Sequence, residues 1–112
     1  CSCLAVSVGT THMMRTQTAN IRFELLEEIQ EEVKIPLVIH GSTGLADEQL
    51  MRMRSYHICK VNIGTALRVA FDRGLREELA KRPDDYIYKD LLQRPLQDEK
   101  EVVKHKMRLL GF

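Results

Sequence analysis

The stretch Ile35-Pro-Leu-Val-Ile-His40-Gly-Ser-Thr-Gly44 decides the fold of this 112-residue chain. A short β-branched run stops at a histidine and is followed by two glycines that enclose a serine and a threonine. This pattern is typical of a buried parallel strand that leads into a binding loop. Two similar stretches flank it, Leu4-Ala-Val-Ser-Val-Gly-Thr-Thr-His12 and Lys60-Val-Asn-Ile-Gly-Thr65. The sequence therefore predicts three buried strands that each end in polar residues.

Helical periodicity fills the intervals between these strands. His12, His40 and Asn62 follow one another after 28 and 22 residues, which is close to one βα unit each. Apolar residues at helical spacing follow Asn20, the expected N-cap, and Pro95 is expected to begin the last helix. The predicted strands cover residues 3–8, 37–39 and 59–63, and the predicted helices cover 21–33, a short segment after 44, 66–81 and 95–110.

Alternating β and α segments predict a parallel sheet in an α/β fold. A closed (β/α)₈ barrel needs about 250 residues, so three βα units are too few to close one. We therefore predict that residues 1–112 form a partial TIM-barrel domain, namely the C-terminal three βα units of a (β/α)₈ TIM barrel plus closing C-terminal helices. Because Cys1 leads directly into a strand, we expect the chain to be the latter part of a longer protein.

Charge and cysteine content exclude several classes of function. The 17 basic and 16 acidic residues nearly balance, which gives no reason to expect nucleic acid or a membrane surface as a partner. No apolar run approaches the roughly 18 residues that a membrane span requires. Three cysteines without a CxxC motif favour a reducing, cytoplasmic location.

His12 and His40 are the candidate metal ligands. At the carboxyl ends of neighbouring parallel strands their imidazoles can converge on one point, which suits Zn²⁺. The alternative is that each is a strand-end histidine bonded to nearby backbone. The two remaining histidines, His57 and His105, are expected to be solvated.

Two loops are candidates for anion binding. Gly41 allows backbone N–H groups to point inward, and Ser42 and Thr43 add hydroxyl groups that can hold a phosphate. Asn62 and Thr65 stand at the start of a helix, where backbone N–H groups favour an anion. The alternatives are a plain glycine turn in the first loop and an ordinary threonine N-cap in the second.

Taken together, these segments resemble the class II, metal-dependent ketose-bisphosphate aldolases, in particular the tagatose-bisphosphate subgroup and the fructose-bisphosphate aldolases near it. The similar stretches are residues 4–12, 35–45, 59–65 and 101–111, in one collinear order. The resemblance implies a barrel enzyme that uses Zn²⁺ to cleave a ketose 1,6-bisphosphate reversibly into dihydroxyacetone phosphate and an aldehyde. The metal would polarise the ketone and stabilise the enediolate.

The resemblance also implies roles for single residues. His12 and His40 would be two of the zinc ligands, and a monovalent cation, Na⁺ or K⁺, would lie beside the phosphate. No catalytic residue is expected within the segment itself. A homo-oligomer is expected, because an amphipathic last helix and an unfinished barrel leave apolar surface exposed. The residues that would hold dihydroxyacetone phosphate are Gly41, Ser42, Thr43, Asn62, Ile63, Gly64 and Thr65.

Three departures from the family pattern bear on activity. Nothing in the chain corresponds to the catalytic aspartate and its adjoining zinc histidine, so the isolated segment is expected to be inactive. Met13 stands where the family has glycine, and Tyr88 aligns roughly with an arginine that reaches the far phosphate in some members. These two residues favour an alternative, a non-catalytic phosphosugar-binding or assembly subunit that completes a barrel with another chain. A small α/β domain without a site is the third reading.

Overall fold

The computed structural model describes residues 1–112 as three strands, each followed by a helical segment, and a long final helix. The α/β fold and the order of its βα units are thereby confirmed. One-turn 3₁₀ helices at Ser42–Gly44 and Met53–Ser55 flank the second helix. The elements in chain order are β1 (Leu4–Val6), α1 (Phe23–Glu32), β2 (Leu37–Ile39), α2 (Asp47–Arg52), β3 (Ile58–Val61), α3 (Thr65–Lys81) and α4 (Tyr88–Leu110).

The three strands form one parallel sheet in the order β1-β2-β3. In the central strand, Ile39 is in register with Val6 on one side and Val61 on the other. All three residues of β2 are buried, whereas β1 and β3 are only partly covered. Because the strands run in the same direction, the polar segments that follow them lie along one edge of the sheet.

A hydrophobic core lies between the sheet, α1 and α2. Leu37 and Ile39 point to the same face of β2, as the two-residue period of a strand requires. Both are fully buried, together with Leu26 of α1 and Leu50 of α2. Their burial fixes β2 and therefore the position of the loop that follows it.

The first helix begins later than the sequence predicts. The prediction that Asn20 is the N-cap was wrong, because α1 begins at Phe23, after Arg22, and has no side-chain cap. The Asn20 carboxamide oxygen instead accepts a hydrogen bond from Gln49 Nε2 at 2.9 Å. Asn20 thus ties the long loop after β1 to α2.

The last helix begins at Tyr88, so the prediction that it starts at Pro95 was wrong. A proline inside a helix gives up one backbone hydrogen bond and crowds the preceding turn. In α4 this cost is offset by close packing, since Pro95 is fully buried and a β-carbon on Gly74 of α3 would lie 3.1 Å from its Cα. Just before the first turn of α4, the Ile87 N–H donates a hydrogen bond to the Asp85 carboxylate at 2.9 Å.

The α3–α4 hairpin makes the molecule elongated. Its principal extents are 59 × 25 × 23 Å and its radius of gyration is 17.2 Å, against about 13 Å for a compact domain of 100 residues. Neither helix of the hairpin, nor any other helix, has the combination of length and apolar composition that a membrane crossing requires.

Asp47, at the start of α2, connects the sheet layer to α4. Its carboxylate accepts a hydrogen bond from Lys106 Nζ at 2.9 Å and from His105 Nε2 at 2.7 Å. Lys106 is only 8% exposed, so its ammonium group depends on this partner. His105, expected to be solvated, is half-exposed but bonds to Asp47.

Replacing Asp47 with asparagine is expected to destabilise the protein by about 2 kcal/mol at neutral pH, because a buried ammonium group loses its charged partner. Burial raises the pKa of the Asp47 carboxyl, but hydrogen bonds from Lys106 and His105 outweigh burial, and the net pKa is lowered. A lowered native pKa contributes stability above about pH 4 that is lost as the pH falls through the native pKa. Urea unfolding should therefore show a difference between wild type and variant that shrinks at acid pH.

The matched control is Asp72→Asn, which breaks an exposed ion pair with Arg76. Exposed pairs are worth little, so this change should leave the free energy of unfolding nearly unchanged. Equal losses in the two variants, or a pH-independent loss at Asp47, would show that Asp47 does not act through its charge.

Candidate active site

A cavity of about 390 Å³ lies at the carboxyl edge of the sheet. Residues that follow all three strands contribute to its wall, as expected for strands that end at one edge. We call it the histidine cavity. Its lining residues are His12, Met13, His40, Gly41, Thr43, Val61, Asn62, Ile63, Gly64, Thr65 and Arg68.

His12 and His40 lie side by side in this cavity. Their ring centroids are 5.6 Å apart and their planes are tilted by 55°. Two imidazoles that share one tetrahedral zinc ion have centroids about 5 Å apart, because each Zn–N bond is about 2.1 Å long. The observed centroid separation is therefore close to that of two imidazoles bound to one zinc ion.

The described residues provide no complete metal site. No group of three or more histidine, cysteine or acidic side chains is arranged to hold a metal ion. Catalytic zinc sites take three protein ligands and keep one position open. The histidine pair alone therefore has fewer ligands than such a site requires.

Asn62 contacts the ring of His40. The carboxamide nitrogen lies 3.1 Å from His40 Nε2 and 3.2 Å from Nδ1, close enough to donate to a neutral ring nitrogen. This contact joins the segment after β3 to the residue that ends β2. It holds the imidazole against the wall of the histidine cavity.

The Gly41–Gly44 loop is packed closely against its neighbours. Gly41 has a left-handed backbone with φ +68°, and a β-carbon there would lie 2.7 Å from the carbonyl oxygen of Thr11. Only glycine fits such a position without displacing backbone. Gly41 therefore sets how closely the loops that carry His12 and His40 approach each other.

The two hydroxyl residues of this loop face different surroundings. Thr43 Oγ1 accepts a hydrogen bond from the Ala66 N–H at 3.2 Å, so it caps α3 from the neighbouring loop. Ser42 is fully buried, its hydroxyl has no partner, and it does not line the histidine cavity. Of the seven residues expected to hold a phosphate, Ser42 alone stays outside the cavity wall.

Arg68 is a site residue that the sequence analysis missed. It lies in the first turn of α3, and its Nη2 would be 3.8 Å from a β-carbon on Gly64. A guanidinium group next to a helix N-terminus strengthens an anion site. The three-residue spacing from Thr65 to Arg68 places both on one helix face, and this spacing could have identified it.

Comparisons with known proteins agree with this geometry. The model of the family described as fructose-bisphosphate aldolase class-II matches residues 1–112. Among solved structures, the chain is similar to the YdjI aldolase from Escherichia coli K12, with 27% sequence identity and a TM-score of 0.74. The match covers 99% of this chain and 39% of the YdjI chain, so the chain spans about two fifths of that aldolase.

Proposed function

The chain belongs to the class II fructose-bisphosphate aldolase family, and on that premise we propose that the complete protein cleaves a ketose 1,6-bisphosphate reversibly into dihydroxyacetone phosphate and an aldehyde. The observation that carries this proposal is the presence of a histidine pair and the N-terminus of α3 in one cavity. Metal-assisted aldol chemistry needs both, since a carbonyl must be polarised while the phosphate of the same substrate is held.

His12 and His40 are proposed as two ligands of a zinc ion. Their ring separation of 5.6 Å supports this role. When bound, zinc supplies a Lewis acid for the carbonyl oxygen of the substrate. A third ligand and the residue that moves the proton would come from parts of the protein outside these 112 residues. The contact from Asn62 would orient His40 before any ligand binds.

The phosphate of dihydroxyacetone phosphate is proposed to bind between the two polar loops. Backbone N–H groups of Gly41, Ser42 and Thr43 would face it from one side, with Ser42 contributing no hydroxyl because its side chain is buried. The start of α3 would face it from the other side, and Arg68 supports this corner with positive charge. A monovalent cation, Na⁺ or K⁺, would lie beside the phosphate. The residues on the α3 side are Asn62, Ile63, Gly64 and Thr65.

We further propose a homo-oligomer in the cytoplasm. Exposed apolar side chains on the hairpin, such as Leu96 and Met107 of α4, support an association between subunits. Three unpaired cysteines, Cys1, Cys3 and Cys59, are compatible with a reducing compartment.

The second candidate function is a non-catalytic subunit that binds a phosphosugar and completes a barrel with another chain. Met13 favours it. This residue follows the first histidine, where the family has glycine, and its backbone has a φ of +62°. Tyr88 also favours it, because an exposed phenol takes the place of a phosphate-binding arginine. The histidine pair opposes it, since a purely structural subunit has no need of two adjoining imidazoles.

The test is the intact mass, metal content and activity of the natural gene product. We expect about one zinc ion per subunit, and cleavage of fructose or tagatose 1,6-bisphosphate that a chelator abolishes and zinc restores. Residues 1–112 alone should be inactive. A metal-free product of this length would favour the non-catalytic subunit, and activity that resists chelation would contradict the proposal.

A further inference from the structure

We infer that Met13 is a specificity-determining residue that separates the histidine cavity from a neighbouring arginine-lined cavity and so limits how far a ligand can extend. This inference rests on the proposed function, because it concerns the length of a phosphorylated ligand in the histidine cavity. It adds a role for a residue that neither holds metal nor donates to phosphate.

The backbone of Met13 is an outlier. It is the one non-glycine residue with a positive φ, +62°. A β-carbon disfavours this conformation, and the side chain is 81% exposed, so core packing does not compensate. The preceding turn is fixed instead by the contact between Gly41 and the Thr11 backbone. The strained residue is therefore held at the cavity by its surroundings.

A second cavity, of about 420 Å³, adjoins the histidine cavity. The two cavities share Met13, Thr65 and Arg68 in their walls, and residues that line both must lie between them. We call the second one the arginine cavity. Its remaining lining residues are Arg15, Val69, Asp72 and Arg76.

The arginine cavity has an excess of positive charge. Its three arginines face a single carboxylate, that of Asp72, which pairs with Arg76 at 2.9 Å. Guanidinium groups bind phosphate and carboxylate well because their N–H groups match two oxygens at once. The cavity would therefore take the second anionic group of a ligand whose first phosphate lies at the start of α3.

Met13 is the one apolar residue among the three that divide the cavities. Thr65 and Arg68 belong to the proposed phosphate site at the start of α3. They would attract an anionic ligand in the histidine cavity and in the arginine cavity alike. A methionine side chain is flexible and adapts to the space available, and in the wall that the two cavities share it offers a ligand no hydrogen bond. A compact three-carbon monophosphate fits on the histidine side, whereas a longer bisphosphate meets Met13.

Titration calorimetry on the complete protein tests this division. The two probes are dihydroxyacetone phosphate and a hexitol 1,6-bisphosphate, which has no carbonyl to cleave. In Met13→Gly and Met13→Ala we expect the affinity for the bisphosphate, relative to the monophosphate, to rise about tenfold. Met51→Ala, which shortens an exposed methionine of α2, should leave the ratio unchanged.

Two further measurements separate side-chain length from backbone strain. Glycine relieves the positive φ and alanine does not, so Met13→Gly should melt at a higher temperature than Met13→Ala while both show the same affinity ratio. Adding Arg15→Ala to Met13→Gly should remove the gain, because the second phosphate loses its partner.

An unchanged ratio in both variants would overturn the inference, as would a gain that survives Arg15→Ala. If wild type binds dihydroxyacetone phosphate and the ratio does not move, the proposed function stands and the inference alone fails. If wild type does not bind dihydroxyacetone phosphate, both are overturned.

Discussion

Replacing His40 with alanine in the complete protein is expected to abolish stable zinc binding and to lower kcat/KM for aldol cleavage by about 10³-fold or more. Loss of a partner that merely orients a metal ligand already costs 10- to 100-fold, and His40 is proposed as a ligand itself. Its ring adjoins that of His12, and the two remaining histidines, His57 and His105, do not line the cavity and so cannot replace it. Metal analysis after dialysis and steady-state kinetics measure the two effects.

The control for this change is His57→Ala. His57 is exposed and bonds through its backbone alone: its N–H donates to the Gln30 side chain and its carbonyl oxygen accepts from the Leu37 N–H. That variant should keep its zinc and its activity. Retention of zinc by His40→Ala at wild-type affinity would show that the histidine pair is a structural contact and would remove the main support for the proposed function.

Replacing Gly41 with alanine is expected to destabilise the fold by about 3 kcal/mol, through left-handed backbone strain and a backbone collision. A β-carbon at Gly41 would lie 2.7 Å from the Thr11 carbonyl oxygen and 2.8 Å from its carbonyl carbon. Neither atom belongs to a flexible side chain, so the whole turn that carries His12 must move. Urea unfolding gives the loss of stability, and zinc titration should show weakened binding in the molecules that remain folded.

Gly64→Ala provides the matched comparison at the same edge of the sheet. Its φ is −133° and the nearest atom to an added β-carbon is Arg68 Nη2 at 3.8 Å, so the change should cost less than about 1 kcal/mol. Equal losses at Gly41 and Gly64 would contradict the view that close approach of the two loops is what requires glycine at position 41.

The strands were predictable where burial decides them. Leu37–Ile39 has the bounds that the sequence predicts, because an apolar run between a proline and a histidine has one buried arrangement in a parallel sheet. At the sheet edges β1 and β3 are shorter than or offset from the predicted runs, since fewer neighbours hold them. The start of α4 was missed because the fit between Pro95 and Gly74 joins residues far apart in the chain.

The site was likewise predictable only where the sheet itself determines the positions of its residues. Strand ends bring His12, His40 and Asn62 into one cavity because parallel strands share an edge. The burial of Ser42 and the bond from Lys106 to Asp47 depend on tertiary contacts between distant segments, which local patterns do not encode. Met13 could be identified from the sequence as unusual, but only the structure gives its position between two cavities.

The histidine cavity is built from three separate strand ends, and this couples ligand occupancy to folding. An unfolded or partly folded chain does not hold these ends together, so a ligand that bridges them binds the native state alone. By mass action, each tenfold rise in ligand concentration above its dissociation constant then adds about 1.4 kcal/mol to the free energy of unfolding. Two of the three strands of this short sheet are sparsely covered, so the stabilisation would matter to the fold. The cellular supply of the proposed metal and phosphosugar would then regulate the lifetime of the protein as well as its proposed activity.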